Sequence, residues 1–285
     1  MRTGMKFVSI IVSILLIGSF AGMFQNGIEM SLKEFWNQFV QLIRAILNPG
    51  ELTYEPLFGS TTVYPVFPGI FEYYGYSLFI LVAGFCIALI GSLGLTYITF
   101  FLPYRLRKMF IRVTGILEAI PDLFIIVMFQ IAIVSLYKET GLLIFEVVGG
   151  FERPVVLPLI TYAVLPAILL YRVMLLTFED ELASPYVELA SGKGLSKSRI
   201  LWKHVLRNAL FTVVNHSRTI IVLMLSNLVM LEILFNLYGL VWFMVNNLRV
   251  EIVIIGILMI FVPLFLIEAC SRFFIQRITG KELAD

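Results

Sequence analysis

Residues 181–211 read ELASPYVELASGKGLSKSRILWKHVLRNALF, a basic stretch set between long apolar runs. Pro185 suits the first turn of a helix, where its missing N–H is no loss. Tyr186, Val187, Leu189 and Ala190 then cover one broad face, with Glu188 and Gly192 opposite. Gly194 is placed to end that helix in a left-handed conformation. Ser196 is placed to cap a second helix through 197–209. The expected local structure is a short helix, a sharp turn and a second helix leading into the next apolar run. By composition alone, an ordinary basic loop lying on anionic lipid would look the same.

Along the rest of the chain, stretches of about 20 apolar residues, the length that crosses a bilayer, occur six times. They fall at 6–24, 76–101, 113–137, 154–178, 212–234 and 251–274. The chain of 285 residues is 60% hydrophobic and 14% charged. A soluble domain carries roughly 25% charged residues, so the deficit predicts an all-α integral membrane protein. Gly84, Gly91, Gly94 and Gly115 are candidates for close helix approach. Pro121, Pro166 and Pro263 are read as tolerated kinks within spans. Cys86 and Cys270 lie far apart in apolar runs and read as buried, inert thiols.

Orientation follows from lysine and arginine placement. Arg105, Arg107, Lys108 and Arg112, then Lys193, Lys197, Arg199, Lys203 and Arg207, then Arg277 and Lys281, fall on one side. The other side holds Lys33, Arg44, Lys138, Arg153 and Arg249. Both termini are therefore expected in the cytoplasm of a multi-pass cell-membrane protein. The first apolar run has an alternative reading as a signal peptide, because Arg2 and Lys6 precede it and Ser19-Phe20-Ala21 is a small-x-small site. Two parts are expected: 1–75, an N-terminal span with an external insertion, and 76–285, the transmembrane body. In the insertion, Ser31 and Glu34 have capping-box spacing. Leu32, Phe35, Phe39, Ile43 and Ile46 follow at helical spacing, as in an amphipathic helix resting on the outer membrane surface or on the bundle.

Within the opening stretch, Glu188, Ala190 and Gly194 have the spacing E-x-A-x-x-x-G, and His204-Val205-Leu206-Arg207-Asn208-Ala209 closes it. This resembles the EAA loop of permease subunits in binding-protein-dependent ABC importers, and specifically their peptide and nickel branch. Leu189 departs from the motif's middle alanine, whereas the H-x-L-R-N-A ending is similar to that of the peptide branch. Glu232-Ile233-Leu234-Phe235 followed by Gly239-Leu240 resembles a region between the last two spans of peptide permeases. Tyr238 and Val241 stand there in place of a proline and a glycine. The similarity covers about residues 76–280.

The resemblance implies a pore-forming subunit without enzymatic chemistry of its own. Its implied partners are separate ATP-binding cassette subunits, a second permease subunit in a heterodimer, an external substrate-binding protein and membrane lipid. Oligopeptides or dipeptides are the implied cargo, with nickel or a nickel chelate as the alternative. Tyr186, Val187, Glu188, Leu189, Ala190 and Gly194 would couple the loop to the ATPase, with Tyr186, Val187 and Ala190 as the docking face. Glu232 would sit near the outer end of the fifth span, in a structural role at a gate or on the pathway.

Asp122 is read about 9 residues, or ~14 Å, into the third span. There it either lines a translocation pathway or pairs with an arginine such as Arg172 or Arg218. Glu118 and Glu179 read as solvated. No phosphate-binding glycine loop is present, so ATP hydrolysis is assigned to another subunit. His204 and His216 lack companions at zinc-ligand spacing; no metal, cofactor or nucleic-acid partner is expected. The competing class is an ATP-independent channel or structural membrane subunit.

Overall fold

The computed structural model describes residues 2–24, 31–55, 62–150 and 153–279. They form helices almost throughout, because a backbone in hydrocarbon has to satisfy its own hydrogen bonds. Five helices are long and apolar enough to cross a membrane, and Val250–Leu266 adds a shorter apolar helical stretch. The chain divides into two compact units, Met1–Tyr76 with Gly239–Asp285, and Ser77–Tyr238. The segment from Gly239 thus groups with the N-terminal part, where a linear division of the sequence places it with the body.

In the first unit, α1 (Arg2–Gly22) packs against α2 (Leu32–Leu47) and α11 (Val250–Thr279). Leu15, Leu42 and Ile254, one from each helix, form a buried cluster with Phe39 beside it. Gln38 Nε2 donates to Glu251 Oε1 at 3.0 Å, which ties α2 to the start of α11. A second cluster joins Ala45, Leu52, Val66, Ile70, Phe243 and Ile252. It lies beside an antiparallel pair of two-residue strands, β1 (Thr53–Tyr54) and β2 (Tyr64–Pro65), with Tyr54 opposite Tyr64, and takes in side chains of α10 (Leu240–Asn246).

Two expectations for α2 change. Ser31 stands at the N-cap, yet its side chain makes no capping bond; its carbonyl accepts from Glu34 and Phe35 N–H instead. The buried face is Gln38, Leu42 and Ala45, while Leu32, Ile43 and Ile46 are exposed. Gln38 is accommodated on the buried face because Glu251 supplies its partner.

The second unit carries α3 from Ser77 onward (the helix spans Ile70–Phe101), α4 (Tyr104–Glu118), α5 (Asp122–Thr140), α6 (Val156–Leu182), α7 (Pro185–Gly192), the single turn α8 (Lys197–Arg199) and α9 (Leu206–Leu234). The α6–α9 pair is its most extensive helix contact. Lipid is as apolar as leucine, so these helices associate through close fit and hydrogen bonds rather than expulsion of water. A Cβ on Gly84 would meet the Tyr162 ring at 2.7 Å, so α3 and α6 approach closely there. Gly91 faces Ala167, and Gly94 and Gly115 have open space around them within this chain. α6 runs on through Pro166.

The third span is displaced from its expected place. The basic stretch after residue 102 is itself a helix, α4, which ends at Glu118; Pro121 is the N-cap of α5. A proline disfavours helical geometry in the residue before it, so it separates two helices here instead of kinking one. The membrane-length helix is Asp122–Thr140, about nine residues later than hydropathy placed it. Cys86 also departs from expectation: it is exposed on α3.

Candidate functional site

The loop between α6 and α9 has the predicted helix–turn–helix form. Ser184 precedes α7 in extended geometry, with Pro185 in the first turn. Gly194 has φ +74°, and its N–H donates to Ser191 O at 2.9 Å. The Ser196 hydroxyl accepts the Arg199 N–H at 3.4 Å, as capping requires. After that turn the expected α-helix is replaced by a π-helical stretch, Ile200–Val205, which runs directly into α9.

The faces of α7 are not those the sequence suggested. Val187 and Ala190 are buried within this chain, in one cluster with Phe100, Tyr171, Phe178, Leu201 and Val205. Tyr186 is half-buried. Leu189 is 63% exposed, and Pro185, Glu188, Ser191 and Gly192 are exposed with it. Apolar patterning identifies the residues that want to leave water but not the surface that receives them. Here Val187 and Ala190 anchor the helix, and Leu189 is the apolar side chain left facing out.

Polar contacts fix the loop to its neighbours. Lys197 Nζ donates to the carbonyl of Phe100 at 2.5 Å and lies 5.4 Å from the Phe101 ring. A cation at the last turn of α3 also complements that helix's dipole. Tyr97 and Ser198 hydroxyls are 3.2 Å apart, and the Tyr97 ring packs against Trp202. The Tyr186 hydroxyl donates to Glu181 Oε2 at 2.5 Å, and Asn208 Nδ2 donates to the same oxygen at 3.2 Å. Burial, then this carboxylate acceptor, pushes the Tyr186 phenol up to about 12, so it stays protonated and donating across the physiological range.

Two carboxylates expected to be solvated are ion-paired instead. Arg107 reaches Glu179 at 2.5 Å, and Arg172 pairs with Glu118. Both bridges run between α4 and α6, and α4 exists as a separate helix only because the chain breaks at Ala119–Pro121. Arg172 is thereby engaged by Glu118 rather than by Asp122. Asp122 itself lies in the first turn of α5, half-buried. A carboxylate there complements the helix dipole, so its cost is lower than at a helix centre.

At the far end of α9, Glu232 is buried and its Oε1 accepts from the Ser77 hydroxyl at 2.5 Å. Beside it, Gln130 Nε2 donates to the carbonyls of Val147 and Leu234, each at 3.2 Å. Asn236, with φ +49°, donates from Nδ2 to Gly149 O at 3.0 Å, and Gly149 N–H returns to Phe235 O at 2.7 Å. A Cβ on Gly149 would sit 2.2 Å from Asn236 O. Ser77, Gln130, Gly149 and Asn236 are not marked by any motif in the sequence. The only local hint is Asn236, of a type that tolerates positive φ. Among the described residues no group of three histidine, cysteine, aspartate or glutamate side chains gathers as for a metal.

Apolar helices of bilayer length, joined by a structured basic helix–turn–helix, define a polytopic membrane protein of the transport type. The chain belongs to the family of binding-protein-dependent transport system inner membrane components, whose model matches residues 96–280. It is 40% identical over 65 residues to the inner membrane ABC transporter permease protein YejB of Escherichia coli O157:H7, covering 22% of this chain and 18% of that protein. It is 35% identical over 94 residues to the dipeptide transport system permease protein DppB of Haemophilus influenzae, covering 32% of this chain and 28% of that one. The aligned stretches thus span under a third of each relative. The family is one of transporter permeases and not of enzymes.

Proposed function

We propose that this chain is the permease subunit of an ATP-driven importer of dipeptides or oligopeptides. The observation that carries the proposal is the form of α7: a short helix footed in the chain's own core by Val187 and Ala190, presenting Leu189 and Glu188 outward. A helix so anchored transmits a push, whereas a mobile basic loop absorbs it. ATP-binding cassette subunits are its partners on that side, and residues 185–194 form the coupling element. A second permease subunit completes the pore as a heterodimer, and a substrate-binding protein delivers cargo from the opposite side. Both termini lie on the loop's side, in the cytoplasm. Similarity to the dipeptide permease supports peptide cargo.

In this reading Glu232 braces the outer end of α9 through Ser77 rather than meeting cargo. Asp122, near the start of α5, offers a negative charge at the cytoplasmic mouth of the pathway. The test is crosslinking from a cysteine at position 189 to the ATP-binding subunit in the assembled transporter. Crosslinks that respond to nucleotide support coupling; their absence in an otherwise active complex excludes it.

A further inference from the structure

The coupling helix has a weakness in its attachment. α7 is joined to α6 through only Ala183 and Ser184, and the chain leaves it towards α8 through Gly194 at φ +74°. Each junction is a place where backbone dihedrals can change without unwinding a helix. Val187 and Ala190 hold the apolar face of α7 at its depth, with Tyr186 and Leu195 packed partly beside them. A non-directional apolar contact of this size restrains rotation less than a fixed polar bond does.

One carboxylate opposes it. Glu181 lies in the last turn of α6, and its Oε2 accepts from Tyr186 on α7 and from Asn208 in the first turn of α9. A single charged acceptor therefore joins three helices at the point where the loop meets the spans. Charge-assisted bonds of this kind are stronger and more directional than neutral ones, and the Tyr186 donor, on an aromatic with few rotamers, holds its geometry.

Resting on the coupling role of α7, we infer that Glu181 is a positioning residue that makes the coupling helix move with α6 and α9 as one body. With the node intact, a displacement of α7 is delivered to the cytoplasmic ends of both spans. Without it, α7 pivots on Gly194 and the stroke is lost in the loop. Glu181 touches neither nucleotide nor cargo in this scheme; it acts through Tyr186 and Asn208.

The experiment uses the complete transporter in nanodiscs, with native cysteines replaced by serine and spin labels at position 191, exposed on α7 away from Leu189, and at position 207. The distance distribution between the labels is measured together with binding-protein-stimulated ATP hydrolysis. Glu181→Ala removes both bonds to the carboxylate. It should broaden a narrow distribution and lower stimulation by about tenfold or more, since each ~1.4 kcal/mol corresponds to a factor of ten. Glu181→Gln keeps a carbonyl acceptor without the charge and should recover both readouts in part. Tyr186→Phe and Asn208→Ala, each removing one arm, should give intermediate broadening and serve if Glu181→Ala does not assemble. A narrow distribution with normal stimulation in Glu181→Ala, or in both single-arm variants, overturns the inference. If a cysteine at position 189, with Glu181 intact, never crosslinks to the ATP-binding subunit, the coupling reading itself fails, a result separable from the behaviour of Glu181.

Discussion

Gly194 and Leu189 are the single positions on which the loop turns. Nothing lies within 4 Å of a Cβ built on Gly194, so a substitution there is judged by backbone conformation alone. A β-branched residue at φ +74° is a steric outlier, whereas asparagine visits this region. Gly194→Val should cost about 1–3 kcal/mol of local strain and misdirect α7, while Gly194→Asn should transport nearly normally. Uptake and stimulated ATP hydrolysis in proteoliposomes compare the two; equal activity of both variants would show that the turn does not aim the helix. Leu189→Asp should leave thermal stability within about 0.5 kcal/mol, as for an exposed site, yet reduce co-purification of the ATP-binding subunit. Val187→Asp buries a charge in the cluster with Tyr171 and Val205 and should destabilise the chain by roughly 3 kcal/mol. The reverse ranking in thermal melts would mean that the faces of α7 are assigned the wrong way round.

For whole elements, the separation of α4 from α5 matters most. Hydropathy runs continuously across residues 113–137, but Pro121 cannot continue the preceding helix, and α4 is held to α6 by two ion pairs. A cysteine at position 119, about six residues inside the hydropathy-defined span, should react with a membrane-impermeant maleimide added from the cytoplasmic side. Protection of that position unless detergent is added would restore a single long third span. At the other end of α9, Ser77→Ala removes a donor from a buried carboxylate and should cost about 1–3 kcal/mol. It is read as a lower melting temperature of purified protein. Glu232→Gln preserves an acceptor for Ser77 and should lose less. If Ser77→Ala melts unchanged, the α3–α9 brace is not a stabilising contact.

Across the whole molecule, the basic residues decide sidedness. A cysteine at position 197 should label only from the cytoplasm and one at position 40, on the exposed part of α2, only from outside. The opposite pattern would invert the proposed topology and remove the loop from reach of any ATP-binding subunit. The outward apolar side chains of the membrane-length helices, Phe79, Ile90, Ile131 and Leu176 among them, can face lipid or a second permease subunit without penalty, because lipid is as apolar as they are.

One-dimensional pattern encodes the number and approximate place of the spans, through apolar run length, and the ends of α7, through proline and glycine. Gly194 is legible without a structure because a left-handed residue is needed to reverse a helix, whatever surrounds it. Which face of α7 turns inward is a matter of packing, since Val187, Leu189 and Ala190 are all apolar and differ in what lies opposite. Packing also selects the partners of charged and polar groups. Glu118, Glu179, Glu181 and Glu232 sit 54, 72, 27 and 155 positions from Arg172, Arg107, Asn208 and Ser77, and no local spacing announces a bond across such separations. For the buried Glu232, an unpaired carboxylate in a low-dielectric bundle would be costly, so Ser77 is supplied by the helix adjacent in space. The other three pairs are exposed contacts, set by which helices lie side by side.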